Sequence, residues 1–250
     1  MRQINTRFCV IEDFKMIKKF CLLLFLWLLC SCASQREMAF SSLQNGDLIF
    51  VEARQENLSG AINRVTQTSE HENFDHIGIL EISDEGMFVL HASPKLGSVR
   101  QPFQEFYQSN LKNQQNMVVY RLRKEFGNAV PSAIGKAKTM LGKPYNSTYV
   151  LNEEQYYCSD FIERAFRSQG IFEHIPMNFK NPKTGEIDDF WKSLYKNFGI
   201  AVPQDEPGTN PNQLAASAKL KRLGKLNENF IFSSDEIENY KKRMGLIRIE

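Results

Sequence analysis

Cys158, His76 and His91 are the residues of this chain whose types could carry out nucleophilic catalysis. A cysteine thiolate attacks carbonyl carbon, and a neighbouring histidine takes the thiol proton. The segment around Cys158 predicts a loop that ends where a helix begins, and free N–H groups at a helix N-terminus stabilise a thiolate and a developing oxyanion. We therefore predict that Cys158 is ionised at neutral pH. Asp160 would oppose this if it faced the sulfur, but we expect it to turn toward the backbone N–H groups of the helix.

The two histidines are predicted to share one face of a β-hairpin. A polar turn centred on residues 84–85 separates two apolar, β-branched runs, which is typical of a hairpin. A two-residue turn there pairs His91 with Gly78 and makes His76 the diagonal neighbour of His91, roughly 7–8 Å away. Either histidine alone is more simply interpreted as an ordinary residue of a half-buried sheet, whereas for the pair that interpretation and a catalytic one are about equally supported.

The remaining pattern predicts an α+β protein whose sheet is antiparallel, because strands precede helices without an alternating βα rhythm. Strands are predicted at 47–51, 76–82, 87–91 and 117–122, with a polar loop over 66–75. Helices are predicted at 58–65, 103–107, 131–141, 158–168 and 188–198, and a last one follows the capping box at 233–236.

The first 31 residues have the features of a secretory signal. Lys18 and Lys19 precede an apolar run of eleven residues, Phe20–Cys30, which is too short to span a bilayer as a helix. The following Leu29-Cys30-Ser31-Cys32 resembles a bacterial lipobox in which Cys32 is lipidated. An uncleaved membrane anchor is the less favoured alternative.

These features predict that residues 1–31 are a lipoprotein signal peptide and that residues 32–45 are a tether. Two or more acyl chains on Cys32 would anchor the protein stably in a membrane. Positions 33 and 34 are Ala and Ser, which lack the aspartate that retains lipoproteins in the inner membrane. We therefore expect a lipoprotein of the bacterial cell envelope, in the outer membrane and facing the periplasm.

The cysteine count and the charge narrow the function further. Four of the five cysteines lie at or before Cys32, so Cys158 would be the single free thiol of the mature chain and no intramolecular disulfide could form. A buried cysteine that packs as a small hydrophobe is the equally acceptable alternative.

Outside residues 1–31, which carry five of the 31 Lys/Arg and two of the 29 Asp/Glu, 26 basic and 27 acidic residues remain. This balance excludes a nucleic-acid binder that works by phosphate neutralisation.

An ordered set of short motifs resembles the permuted papain-like amidases, the YaeF/YiiX-like relatives of the NlpC-type cell-wall hydrolases. In permuted members the histidine strand precedes the cysteine helix, as His76 precedes Cys158 here. The resemblance covers residues 46–217. Its motifs are Gly46-Asp-Leu-Ile-Phe50, His76-Ile-Gly-Ile79, Val89-Leu-His-Ala92, Gly142-Lys-Pro-Tyr145, Tyr157-Cys-Ser159 and Pro211-Asn-Gln-Leu-Ala-Ala-Ser217.

The resemblance implies a permuted papain-like fold, with an antiparallel sheet or small barrel and packed helices over 46–217. Residues 218–250 would be an extension packed on that domain. It also implies roles: Cys158 as the nucleophile, His76 as its base and His91 as the residue that orients the base. Further residues, expected near the thiolate or the oxyanion, are Tyr145, Tyr157 and Ser159.

Two positions depart from the family pattern. Permuted members often have a carboxylate at the third catalytic position, so the neutral His91 would orient His76 without adding negative charge. Asn146 follows Tyr145 where an aspartate is more usual. Neither departure removes the Cys158–His76 pair, and no metal or other cofactor is needed for its chemistry.

His71 and His174 match no motif, and we expect both to tolerate substitution.

These observations predict a lipid-anchored thiol hydrolase, an amidase or peptidase that works through an acyl-enzyme. Its partners would be the membrane, through the N-terminal lipid, and an amide- or acyl-containing substrate such as a peptidoglycan peptide or an N-acyl amino acid; nucleic acid is not expected. A lipid acyltransferase and a catalytically silent envelope binding module are alternatives, since a fold can host either. A zinc site built from Cys158, His76 and His91 is disfavoured because these residues lack a short paired spacing.

Overall fold

The computed structural model describes residues 37–38, 42–67 and 72–226, which belong to one compact unit. The predicted signal peptide, the lipidated Cys32, His71 and the predicted helix after 233–236 lie outside these ranges. Within them, no helix has both the length and the apolar character needed to cross a membrane.

One predominantly antiparallel sheet forms the centre of the described structure. Its order is β1-β9-β6-β2-β3-β4-β5, and a separate two-stranded ribbon pairs β7 with β8. The strands are β1 (Glu37–Met38), β2 (Leu48–Glu52), β3 (Phe74–Ser83), β4 (Gly86–Ser93), β5 (Gly97–Pro102), β6 (Met117–Leu122), β7 (Ile175–Pro176), β8 (Pro207–Gly208) and β9 (Leu220–Leu226).

Six α-helices surround this sheet in the described residues, which confirms the α+β class. They are α1 (Asn57–Thr66), α2 (Phe103–Lys112), α3 (Val130–Thr139), α4 (Cys158–Phe166), α5 (Asp189–Phe198) and α6 (Pro211–Ala215). Short 3₁₀ turns cover Lys124–Ala129 and Arg167–Gln169.

Strand β2 lies in the middle of the sheet and explains how the layers are arranged. Leu48 and Phe50 point into a core shared with α3 and α4, whereas Ile49 and Val51 point into a second core shared with α2. Because successive side chains of a strand face opposite sides, this uninterrupted apolar run is buried on both faces. The sheet therefore has helices on each side, and β3, which carries His76, lies between β2 and β4, which carries His91.

The predicted hairpin register is confirmed. Strands β3 and β4 pair Ile79 with Leu90 and Ser83 with Gly86, which is the register of a two-residue turn. Gly78 is required by this arrangement, because a Cβ atom there would stand 2.4 Å from Val89 Cγ1 and 3.2 Å from the Cβ of His91. The lack of a side chain at residue 78 leaves room for His91 beside it.

Three expectations about the elements were wrong in detail. Strand β5 was not predicted, because Gly97–Pro102 contains a single β-branched residue. Strand β9 pairs with β6 inside the sheet, although residues 218–250 were expected to form an added extension. Strand β3 starts at Phe74, within the segment expected to be a polar loop, and places Asp75 in the sheet. The sheet is open, with β1 and β5 at its edges, so the alternative of a closed small barrel does not hold for the described residues.

Candidate active site

Cys158 is the first residue of α4 and is only 4% exposed. Its Sγ lies 3.8 Å from the carbonyl oxygen of Asp75, so the start of the helix rests against the main chain of β3. Backbone N–H groups of Ser159 and Ile77 and the Tyr145 hydroxyl also hydrogen-bond the sulfur and favour its thiolate. The sequence thus placed the thiol correctly at a helix N-terminus, beside the strand that carries His76.

The prediction of an ionised Cys158 is nevertheless wrong for the protein in this state. Burial, followed by the negative charge of Asp75, raises the pKa of the Cys158 thiol to about 12. Desolvation disfavours the charged form of any acid, and an adjacent carboxylate adds to this effect. The three donors around the sulfur lower the pKa by less than these two causes raise it. At neutral pH the thiol is therefore protonated in this structure.

The carboxylate that opposes ionisation is Asp75 and not Asp160. Asp160 was expected to turn toward the backbone of the helix, but its Oδ1 accepts a hydrogen bond from Arg164 Nε at 2.7 Å. This fully buried ion pair fixes α4 from within, and Arg164 also bonds Glu153. Asp160 therefore has a structural part in the helix that carries Cys158.

His76, His91 and Gln101 form a chain of hydrogen bonds across three neighbouring strands. His76 Nε2 lies 2.8 Å from His91 Nδ1, and His91 Nε2 lies 3.0 Å from Gln101 Oε1. The diagonal arrangement predicted for the two histidines is confirmed. Gln101 is diagonal to His91 in the same way, because β5 pairs Val99 with His91.

This chain fixes the tautomers of both rings. An amide oxygen only accepts hydrogen bonds, so His91 Nε2 carries the hydrogen that it donates to Gln101. His91 Nδ1 then has a free lone pair and accepts from the Nε2–H of His76. As a result, the lone pair of His76 lies on Nδ1, which is the atom available to take a proton.

Both histidines are neutral at physiological pH. Burial lowers the pKa of His91 to about 4, although the bond to Gln101 opposes this shift. Burial and then the neighbouring His91 lower the pKa of His76 well below its usual value. The ring of Phe106 on α2 packs 5.1 Å from the ring of His91 and 6.1 Å from that of His76, between ring centroids.

The thiol and the histidines open into two different cavities. Cys158 lines a small cavity of about 50 Å³ with largely aromatic walls. His76, His91 and Gln101 line a polar cleft of about 480 Å³. Asp75, Ile62 and Tyr145 border both cavities. No hydrogen bond joins Cys158 to His76 in the described residues, so the structure brings the thiol beside the histidine strand without engaging the two groups. Catalytic hydrogen bonds often tighten only when substrate is bound.

The three residues expected near the thiolate are placed differently. Tyr145 and Ser159 contact the sulfur as described above. The hydroxyl of Tyr157 instead accepts a hydrogen bond from the backbone N–H of Thr209 at 3.1 Å and holds the wall of the small cavity. Tyr157 therefore shapes the site, whereas Tyr145 and Ser159 supply donors to it.

Asn146 organises the loop between Tyr145 and Cys158. It is fully buried; its Nδ2 donates to Val150 O at 2.8 Å, and its Oδ1 accepts from the N–H and the hydroxyl of Thr148. An aspartate could not make the first of these bonds, because a carboxylate has no donor. The departure from the family pattern is thus explained by what this loop needs.

Replacing Asn146 by aspartate is expected to destabilise the protein by about 1–3 kcal/mol, the cost of a buried polar group left without its partner. The carboxylate would face the carbonyl of Val150, so its pKa should rise and the loss should grow above pH 5. Urea denaturation at pH 5 and pH 8 measures this. A stability unchanged at both pH values would contradict the assignment of the Asn146 amide.

A cluster of possible metal ligands exists elsewhere in the described residues. Asp160, Glu163 and His174 approach one another closely, but Cys158, His76 and His91 form no such group. The guanidinium groups of Arg164 and Arg167 already bond the two carboxylates of this cluster. Its donors therefore do not fit a metal ion.

Sequence reasoning missed two groups of the site. Asp75 was assigned to a loop, and its position directly before His76 was the one available signal. The position of Gln101 could have been predicted by asking which residues of a third strand share the face of His76 and His91, but β5 itself was not predicted.

A cysteine at a helix start beside a histidine strand, with the strand earlier in the chain, is the arrangement of a permuted papain-like fold. Residues 42–224 match the family described as permuted papain-like amidase enzyme, YaeF/YiiX, C92 family, and the chain belongs to this family.

A solved structure agrees with this assignment at the level of the fold. The crystal structure of "metalloprotein yiiX" from Escherichia coli O157:H7 is 22% identical in sequence, with a TM-score of 0.57. The match covers 73% of this chain and 97% of that one. Among curated proteins, none matches this chain.

Proposed function

We propose that this protein is a thiol amidase or peptidase that cleaves an amide bond through an acyl-enzyme on Cys158. The observation that carries the proposal is the placement of Cys158 at the start of α4, against Asp75 of β3. Asp75 directly precedes His76, where the chain of hydrogen bonds to His91 and Gln101 begins. Membership of a family of permuted papain-like amidases supports the same chemistry.

In the proposed reaction His76 carries the proton that moves between the thiol, the leaving nitrogen and water. His76 Nδ1 takes the thiol proton as Sγ attacks the carbonyl carbon, and the N–H of Ser159 stabilises the developing oxyanion. The C–N bond then breaks, and the leaving nitrogen receives the proton from His76. A water molecule attacks the thioester, gives one proton to His76, and releases the carboxylic acid as the proton returns to the sulfur. His91 and Gln101 hold the tautomer throughout.

We also propose that the protein is anchored in the cell envelope through a lipid on Cys32. The features that support this are the short apolar run and the small residues that follow it. The described residues begin after this segment, and the tether would place the two cavities close to a membrane surface. Peptidoglycan peptides and N-acyl amino acids are the substrate classes that such a location favours.

A catalytically silent binding module is the second candidate. It is favoured by the raised pKa of the Cys158 thiol and by the lack of a hydrogen bond between that thiol and His76 in the described residues. It differs from the first candidate in one outcome: no covalent adduct would form.

Intact-mass analysis of protein purified from the membrane fraction tests both parts of the proposal. After acid quench of a reaction with stem peptides or N-acyl amino acids, the protein should gain the mass of an acyl group on the peptide that contains Cys158. Cys158→Ala should gain none. The N-terminal peptide should begin at Cys32 and carry two or three acyl chains. Tight binding of these compounds with neither adduct nor product would favour the binding module, and an unmodified N-terminus elsewhere would contradict the anchor.

A further inference from the structure

Asp75 differs from the other carboxylates that lie at least partly inside the described structure. Each of the others has a Lys or Arg nitrogen within 4 Å: Asp47, Glu52, Glu72, Glu81, Asp160, Glu163 and Asp188. Asp75 has no such partner in the described residues; its carboxylate interacts with the Ser59 hydroxyl and receives two long contacts, at 3.4 Å, from Gln115 Nε2. A carboxylate in this setting lacks a counter-ion.

The backbone places Asp75 beside the nucleophile. Strand β2 pairs Val51 with His76 and Glu52 with Phe74, so Asp75 is the extra residue of a β-bulge. Bulges re-aim a side chain and are common next to functional sites. Asp75 lines the small cavity together with Cys158 and Tyr149, and its negative charge raises the pKa of both groups.

The walls of this cavity suit a small cation. Its rings belong to Tyr145, Tyr149, Tyr157, Phe179 and Trp191. Aromatic faces attract ammonium groups, and the attraction strengthens where water is excluded. The volume of about 50 Å³ has room for a few non-hydrogen atoms and is too small for a long acyl chain.

Two further residues of the cavity wall have unused hydrogen-bonding capacity. The hydroxyls of Tyr149 and Thr209, on side chains that are 8% and 5% exposed, interact with the hydroxyls of Tyr145 and Tyr157, and each oxygen can still accept a further hydrogen bond. Tyr149 also has a φ of 57°, a left-handed conformation that is strained for a bulky residue. Backbone strain of this kind is common at residues that line ligand sites. With Asp75, these hydroxyls offer three acceptors, which is the number of N–H bonds in a primary ammonium group.

We propose that Asp75 and the aromatic cavity beside Cys158 bind a primary ammonium group of the substrate. The inference rests on the proposed function, and it restricts the substrates to amides whose acyl part carries a free amine. The bound cation would neutralise the charge that disfavours the Cys158 thiolate. Substrate binding would thereby activate the nucleophile.

Several charged or titratable groups surround the sulfur and enter this coupling. Asp75 comes from β3, next to His76, Tyr145 and Tyr149 come from the loop before α4, and Tyr157 directly precedes the cysteine. The neutral His76 and the protonated tyrosines carry no charge at pH 7. Arg54 acts on Asp75 from the side of the polar cleft. Asp75 is therefore the group whose neutralisation changes the thiol most.

Binding can be measured without turnover, because Trp191 is the one tryptophan after the leader; the other, Trp27, precedes Cys32. The mature protein with Cys32→Ser is titrated with methylammonium chloride, against sodium chloride at equal ionic strength. We expect a saturable change in Trp191 emission, weakened at least about tenfold in Asp75→Asn. Tyr149→Phe, which keeps the ring and the charge, should weaken it by less. Asp84→Asn, an equal charge change in the exposed hairpin turn, should bind as the wild type does.

Alkylation by iodoacetamide measures the effect of Asp75 on the thiol. Asp75→Asn should react at least about tenfold faster than the wild type at pH 7, which corresponds to a fall of one unit in the Cys158 pKa. Asp84→Asn should react at the wild-type rate. Equal alkylation rates in the wild type and Asp75→Asn would overturn the coupling.

Turnover separates this inference from the proposed function. Alanyl-4-nitroanilide and its N-acetyl derivative differ in the ammonium group, and the wild type should prefer the first by at least about tenfold in kcat/KM, a preference lost in Asp75→Asn. Cleavage of both compounds at equal rates would overturn the ammonium site and leave the amidase intact. Saturable methylammonium binding that depends on Asp75, without cleavage of any amide, would support the site and argue against the amidase. Emission that does not respond to methylammonium, or responds equally in Asp75→Asn, would overturn the site.

Discussion

Replacing Cys158 by alanine is expected to reduce amide turnover by at least about 10⁴-fold, because Cys158 is the only cysteine that lines either cavity in the described residues and a hydroxyl is a weaker nucleophile than a thiolate. The substitution should leave the fold intact: Cys158 is small, and its side-chain contacts with β3 are the 3.8 Å approach to Asp75 O and the hydrogen bond from the Ile77 N–H. Product formation by Cys158→Ala within tenfold of the wild type would show that the thiol is not the nucleophile.

Cys158→Ser is the matched variant for this test. It retains the shape and the helix start but replaces the thiol by a weaker nucleophile. We expect it to bind substrate as the wild type does and to lose nearly as much activity as Cys158→Ala. Thermal unfolding of both variants controls for a loss of structure.

His76→Ala is expected to reduce kcat by about 10²- to 10⁴-fold, the usual contribution of a general base. His91→Gln should retain a larger share of activity, since a glutamine oxygen can still accept the Nε2–H of His76 and hold its tautomer. His174→Gln is the control, because His174 bonds Glu163 and borders neither cavity. kcat and KM are measured for all three variants, with circular dichroism to verify folding. If His91→Gln were folded and as inactive as His76→Ala, the assigned roles of the two histidines would be reversed or shared.

The contact between His76 and His91 could be predicted from the sequence because a hairpin with a short turn has few possible registers. The turn at residues 84–85 and the alternation of apolar residues fixed the pairing, and pairing decides which side chains share a face. The same logic failed at Gln101, since Gly97–Pro102 does not have the composition of a strand. Its pairing with β4 comes from tertiary packing, which local propensity does not record.

The raised pKa of Cys158 could not be predicted, because it depends on burial and on one irregular backbone position. The sequence indicates the helix start, which lowers a thiol pKa, but it does not show how completely the sulfur is removed from water. Nor does it show the bulge that brings the charge of Asp75 to the cavity. The role of Asn146 could not be predicted either. Its departure from the family pattern is explained by the hydrogen bond from its side-chain amide to the carbonyl of Val150, which only the structure shows.

The chain from His76 to Gln101 contains no ionised group, and this gives it a property that a histidine–carboxylate pair lacks. When His76 takes the thiol proton on Nδ1, the hydrogen on its Nε2 can cross the 2.8 Å to His91 Nδ1. The positive charge then moves to the second ring, whose centroid is 5.0 Å away, although no ring has turned. A carboxylate in the place of His91 would hold the charge on His76 by attraction, whereas the neutral imidazole lets it spread over two rings. If His76 is the base of the proposed reaction, the counter-charge of the Cys158 thiolate can therefore lie on either ring, and the same pairs of hydrogen-bonded atoms serve both the thiolate and the uncharged thioester.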